Sequence, residues 1–157
     1  MASEELIDLS AIDLKATVAD AAAIERLNPH RGLMRLLDRV IWLAPDRSAA
    51  VGAKEVTEHE FWVPGHIPGR PLMPGVLMIE AAAQLSSYLF KVKTAEERFL
   101  GFTHVDKTSF RGQVVPGDTL FLVVKEVLFR PRRFTCDAQG FVNGRIAFET
   151  RISGMVF

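Results

Sequence analysis

From Phe61 to Gln84 the chain reads Phe-Trp-Val-Pro-Gly-His-Ile-Pro-Gly-Arg-Pro-Leu-Met-Pro-Gly-Val-Leu-Met-Ile-Glu-Ala-Ala-Ala-Gln. Pro64, Pro68, Pro71 and Pro74 alternate with Gly65, Gly69 and Gly75, so fixed and unusual φ values together hold a loop path without secondary structure. The only titratable groups in that loop are His66 and Arg70. An imidazole titrates near neutrality and can remove a proton. A carboxylic acid in an apolar setting, here Glu80, can have its pKa raised enough to donate one. If a helix starts at this point, the N–H groups of Gly75 and Val76 have no intrahelical partner, and the dipole helps them bind an oxygen that becomes negative. A base, an acid and an oxyanion donor suit removal of an α-proton next to a carbonyl with loss of a β-hydroxyl. Residue types alone leave a structural histidine as the alternative.

The element that must carry Glu80 is a helix predicted over about Pro74 to Lys91, with Pro74 at its first position, where a missing N–H costs nothing. Leu77, Met78, Ala81, Ala82, Ala83, Leu85 and Leu89 are good helix formers. On a helical wheel Glu80, Gln84, Ser87 and Lys91 form a narrow polar stripe on a mostly apolar cylinder. Such a helix is buried on most sides, as a sheet wrapped around it would produce. The alternative is a stripe that faces solvent.

Strands are expected on both sides of this helix. Arg35 to Ala44 and Ser48 to Val56 read as a hairpin around Pro45-Asp46-Arg47. Phe99 to Phe110, Thr119 to Phe129, Arg133 to Val142 and Arg145 to Phe157 read as four more strands. The last two meet at Asn143-Gly144, a dipeptide suited to a type I′ turn. One central helix with about six antiparallel strands is an α+β layout. Residues 1–27 read as an amphipathic arm with one or two short helices, ending before Asn28-Pro29, and residues 28–157 as the main domain.

Composition narrows the function classes. A chain of 157 residues with 48% hydrophobic and 24% charged residues supports one core,. Nineteen Lys and Arg balance nineteen Asp and Glu, which is not the basic footprint of a nucleic-acid binder. A net charge of zero favours self-association,. The single Cys136 excludes an internal disulfide and points to a reducing compartment,. The acidic start Met-Ala-Ser-Glu-Glu is unlike a targeting peptide, and Gly75 to Phe90 is too short and polar for a membrane span. These features together predict a cytoplasmic protein.

The run Gly65 to Gln84 closely resembles the active-site signature of the β-hydroxyacyl-ACP dehydratases of type II fatty-acid synthesis, in the group with Glu on the helix. Pro29-His30-Arg31 with Leu37-Asp38-Arg39-Val40, and Val105-Asp106 through Phe110-Arg111 to Val114-Val115-Pro116-Gly117-Asp118, are similar to further segments of that family. The resemblance implies a hot-dog fold, a helix wrapped by an antiparallel sheet. It also implies a homodimer with a continuous sheet and active sites at the subunit boundary, and a trimer of dimers in many members. It makes His66 the base on the α-carbon. Glu80 from the partner subunit is the acid at the β-hydroxyl, the Gly75 N–H the thioester polariser, and Gln84 the residue that orients Glu80. The substrate is a (3R)-hydroxyacyl thioester on acyl carrier protein, dehydrated to the trans-2-enoyl thioester with no metal or redox cofactor.

The chain departs from the family pattern at Gly32-Leu33-Met34, where an aromatic-Pro-Phe run is common, and at His104 and Ser109. These positions bear on chain length and carrier contact. His30, His59 and His104 form no metal-ligand spacing. Phe61, Trp62, Phe102 and Phe110 are candidate walls of an acyl channel. Arg130, Arg132 and Arg133, with Lys91 and Lys93, are candidates to attract an acidic carrier. The competing functions are hydration of enoyl-CoA, dehydration coupled to isomerisation, thioester hydrolysis, and a non-catalytic acyl-thioester-binding subunit.

Overall fold

The computed structural model describes residues 3–157. Strands β1 (Arg39–Leu43), β2 (Ala49–Glu55), β3 (Leu100–Phe110), β4 (Thr119–Arg130), β5 (Arg133–Val142) and β6 (Arg145–Val156) form one antiparallel sheet in the order β1-β2-β4-β5-β6-β3. Helix α1 (Ala21–Leu27) lies in the N-terminal arm, and α2 (Gly75–Thr94) connects β2 to β3 and packs on the sheet. This is the expected α+β layout of one long helix against six antiparallel strands. Asn143 (φ 50°) and Gly144 (φ 74°) make the β5–β6 turn with the two positive φ values that type I′ requires,.

The ends of α2 and the start of β1 differ from expectation. Pro74 precedes α2 instead of opening it, and its carbonyl accepts from Leu77 (2.9 Å) and Met78 (3.3 Å). The helix runs past Lys91 to Thr94 and stops where Ala95 turns left-handed. β1 begins at Arg39, not Arg35, because the Leu36 and Leu37 N–H groups go to the Gln84 side chain and not to a ladder.

Both faces of the sheet are covered. On one face Leu120, Leu122, Val124, Ala138, Phe148 and Ile152 pack in the main core with Met78, Ala81, Ala82, Leu85 and Leu89 of α2. A Cβ at Gly52 would meet Leu37 Cδ1 at 2.8 Å and Leu85 Cδ1 at 3.3 Å, so glycine lets β2 approach the helix. On the other face Leu6, Ile7, Leu9 and Ile12 of the arm pack on Ile41, Val51, Ala53, Val123 and Phe141. The Gln139 carboxamide fastens the arm there, accepting from Leu6 N (2.8 Å) and donating to Glu4 O (2.9 Å).

The arm also closes one edge of the sheet. Val18 N donates to Val40 O, Val40 N to Ala19 O, and the Arg39 guanidinium to the carbonyls of Leu14 and Ala16. The opposite edge, β3, pairs only with β6 among the described residues and leaves Phe102, Val105 and Phe110 exposed. An uncovered edge of this kind is a template for pairing. Among the described residues no helix is long and apolar enough to cross a membrane.

The polar stripe of α2 does not face solvent. Gln84, Ser87 and Lys91 are buried, and the segment 27–37 lies over them. Asn28 Nδ2 donates to Gln84 O (2.8 Å), and Lys91 Nζ donates to Leu27 O (3.0 Å). The Gln84 side chain accepts from Leu36 N (2.9 Å) and Leu37 N (3.3 Å) and donates to Met34 O (2.8 Å). A buried amide linking two segments in this way is stabilising because each group left unpaired costs about 1–3 kcal/mol. Gln84→Leu, which keeps the volume and removes the partners, is expected to cost about 3 kcal/mol for the groups it strands. Urea denaturation of the variant against the parent protein measures this, and a change within 0.5 kcal/mol (about the scatter of neutral surface substitutions) contradicts it.

Candidate active site

His66 stands on an exposed loop between two buried anchors, Trp62 and Met73. His66 N donates to Trp62 O (2.7 Å), Leu72 N to His66 O (2.9 Å), and Met73 N to Val114 O (2.8 Å). Further back, Glu60 is latched by Lys54 at 2.8 Å, both side chains being over nine-tenths buried. The Pro- and Gly-rich segment is therefore a chain of bonded turns. His66 Nδ1 lies 2.8 Å from Leu72 O. A carbonyl can only accept, so Nδ1 carries a hydrogen, and in the neutral ring Nε2 then holds the lone pair that a general base requires.

Glu80 sits in the second turn of α2, about a quarter exposed, and lines a cavity of ≈ 60 Å³ with His30, Ala83, Gln84, Ser87, Leu100, Gly101, Phe102 and Phe134. Gln84 Nε2 donates to Glu80 Oε1 at 3.0 Å, the contact that their i,i+4 spacing allows,. His30 Nε2 lies 3.3 Å from the same oxygen. Burial pushes the Glu80 carboxyl up, but hydrogen bonds from His30 and Gln84 and the His30 charge together outweigh it. The net direction is below the ordinary carboxylate value,. That corrects the expectation of a raised pKa: an apolar helix surface does not decide it when two donors converge on one oxygen.

At the start of α2 the N–H groups of Gly75 and Val76 have no hydrogen-bond partner among the described residues. Phe110 of β3 covers Gly75 so closely that a Cβ there would meet ring carbons at 2.6 and 2.8 Å. The helix N-terminus is thus an open pair of donors beside the free edge strand.

The structure brings Glu80, Gln84 and the unanticipated His30 to one cavity and leaves His66 outside its lining. By sequence His30 is weighed as a metal ligand and placed in a segment similar to the family, without being given a role. Its signal in the sequence was the place of Pro29-His30-Arg31 just before the segment that crosses the polar stripe. Of the four aromatic wall candidates, Phe102 lines the cavity and Phe110 lies on Gly75, whereas Trp62 belongs to the main core. Lys91 and Lys93 are not free for a carrier. The first is buried on Leu27 O, and the second is bonded to Glu126 at 2.8 Å and lies 4.0 Å over the Phe129 ring. His104 is exposed on β3 with Nδ1 3.1 Å from Thr103 Oγ1.

Three comparisons bear on this arrangement. The family model for a FabA-like domain matches residues 28–151. A 3-hydroxyacyl-[acyl-carrier-protein] dehydratase FabZ of Desulforamulus reducens is 38% identical over 134 residues, covering 85% of this chain and 94% of that protein. One of Jannaschia sp. is 39% identical over 145 residues, covering 89% of each. Among solved structures, the dehydratase heterocomplex ApeI:P from Xenorhabdus doucetiae superposes with a TM-score of 0.72 at 16% identity, over 85% of this chain and 90% of that one, a likeness of fold. The six-stranded sheet packed on one long helix is the hot-dog fold, and the chain belongs to the FabA-like family of 3-hydroxyacyl-acyl-carrier-protein dehydratases, which are hydro-lyases.

Proposed function

We propose that this protein converts a (3R)-hydroxyacyl thioester carried on acyl carrier protein to the trans-2-enoyl thioester, in a site that two copies of the chain build together. His66 Nε2 of one copy takes the α-proton. Glu80 of a second copy serves the β-hydroxyl as it leaves as water, and Gln84 orients that carboxyl. The N–H groups of Gly75 and Val76 hold the thioester oxygen as negative charge develops, a contribution of about 3–4 kcal/mol for one donor. Acid, base and oxyanion donors are all side-chain or backbone groups, so the reading needs no metal or redox cofactor.

The observation that carries the two-chain site is the separation of its halves. One chain holds a base with a free nitrogen on an exposed loop. The same chain holds Glu80 in a cavity of ≈ 60 Å³ that His66 does not line, far below the few hundred Å³ a small-molecule site occupies. β3 supports the rest, since it is the uncovered edge and its Phe110 and Phe102 touch Gly75 and the Glu80 cavity. Pairing of β3 between copies extends the sheet and sets the loop of one chain toward the cavity of the other; a trimer of such dimers is the assembly on this reading. The lone Cys136 thiol, buried and pushed up to about 12, suits the reducing cytoplasm,.

Carrier docking falls to Arg130, Arg132 and Arg133, all exposed at the β4–β5 turn, with Arg133 next to the cavity residue Phe134. Opposite charge across an interface speeds and orients encounter.

Assays with 3-hydroxyacyl-ACP and 3-hydroxyacyl-CoA that follow enoyl product and free thiol separately test the reaction. His66→Ala and Glu80→Gln are each expected to lower kcat by about 10²–10⁴ with unchanged circular dichroism. Thiol release without enoyl product speaks for a thioesterase, and binding without turnover speaks for a non-catalytic subunit. Arg130→Glu with Arg133→Glu is expected to raise KM for the ACP substrate about tenfold and leave the CoA substrate unchanged. An equal rise for both carriers contradicts the docking assignment.

A further inference from the structure

His30 is the one titratable group beside Glu80 that the mechanism above leaves unused. Its Nε2 lies 3.3 Å from Glu80 Oε1, and both side chains are about a quarter exposed. Its other nitrogen, Nδ1, is buried without a hydrogen-bond partner among the described residues. A histidine kept only for structure normally has both ring nitrogens satisfied, so an orphaned one asks for an explanation. The backbone around it is fixed on every side. Asn28 is bonded to Gln84 O, and the Arg31 guanidinium donates to the carbonyls of Glu25, Asn28 and His30 itself.

The surroundings isolate the pair. α2 contributes Glu80, Gln84 and Ser87 to the cavity, β3 contributes Leu100, Gly101 and Phe102, and β5 contributes Phe134. Among the described residues, His30 and Glu80 are the only titratable groups in that lining. Arg31 is engaged on backbone carbonyls, and Arg35 is paired with Glu25 and Asp38.

We infer that His30 is a positioning residue that shares one proton with Glu80, so that the acid of the dehydration is the His30–Glu80 pair and not the carboxyl alone. This rests on the dehydratase reading given above. A carboxylate beside an imidazolium and a carboxylic acid beside a neutral imidazole contain the same proton, and the two atoms that exchange it lie 3.3 Å apart,. In the reaction the Cα–H bond breaks and its proton goes to His66 Nε2. The electron pair forms the Cα=Cβ bond as Cβ–O breaks, and the leaving oxygen takes the shared proton through Glu80 to depart as water. The pair is left with a carboxylate and a neutral imidazole. It regains a proton from solvent as His66 gives one up. His30 is the neighbour that most favours the ionised form of Glu80, so on this inference the proton that the carboxyl gives up rests on the imidazole 3.3 Å away and returns from it.

The test is the pH profile of kcat for His30→Gln, measured with 3-hydroxyacyl-ACP beside wild type, His66→Ala and Glu80→Gln. Glutamine keeps a donor to Glu80 but carries no titrating proton. The remaining acid is then a carboxyl with no imidazole to hold its proton, so kcat at pH 7 falls about 10²-fold. The basic limb of the profile moves down by more than about one pH unit, and activity recovers in part toward pH 6. His30→Asn replaces the glutamine variant if the latter loses the wild-type circular dichroism. A glutamine variant within threefold of wild type (roughly half a kcal/mol), or one reduced equally at every pH, overturns the inference. If Glu80→Gln or His66→Ala keeps full activity, the dehydratase assignment of those residues fails instead, whatever His30→Gln shows.

Discussion

A buried carboxamide with every hydrogen-bonding position in use is a rigid fixture, and the Gln84 side chain is one. Its oxygen accepts from two successive backbone N–H groups, and its nitrogen donates to Met34 O and to Glu80. Because an N–H can bond only the oxygen, the amide cannot be flipped, and the donor toward Glu80 is set by the same bonds that close the 34–37 segment over the helix. Packing and chemistry therefore share one residue. The stripe that keeps α2 from being apolar all round is the stripe that seats the carboxylate, and the segment that covers it brings His30 to the other side of the same oxygen.

The sheet shows the same economy at its edges. The arm covers the outer face and binds β1 through Val18, Ala19 and the Arg39 guanidinium, while β3 has no neighbour on its outer side among the described residues. A chain that blunts one edge and exposes the other has a built-in direction for association. The exposed edge also borders the candidate site, since Phe110 reaches the helix N-terminus and Phe102 reaches the Glu80 cavity. On the proposed reading each chain presents half of an acid–base site next to the edge through which it pairs with a copy of itself.

Much of the fold was legible because its signals are local. Asn143-Gly144 declared its turn through the two positive φ values it tolerates, and the Pro- and Gly-rich loop followed by alanines marked the start of α2 to within a residue. What depended on distant partners was not legible. Nothing in the run Arg35 to Leu37 announces that its N–H groups serve a glutamine nearly fifty residues away. The direction of the Glu80 pKa turned on two neighbours converging on one oxygen, and a helical wheel shows only one of them. Trp62 looked like a channel wall by type and proved to be an anchor in the core, because the loop folds inward there before it turns out to His66. Lys91 and Lys93 looked like carrier contacts by charge and are instead occupied by a carbonyl and a carboxylate.

The central claim is that base and acid come from different chains, and subunit complementation tests it most directly. Purified His66→Ala and Glu80→Gln proteins, each inactive alone, are mixed, dissociated and allowed to reassociate at equal concentration. A shared site predicts that mixed dimers contain one intact site, with recovery of about a quarter of wild-type activity at random exchange. If mixed dimers form, as mass analysis of the assembly reports, and activity stays at the level of the separate variants, both groups belong to one chain and the account is wrong.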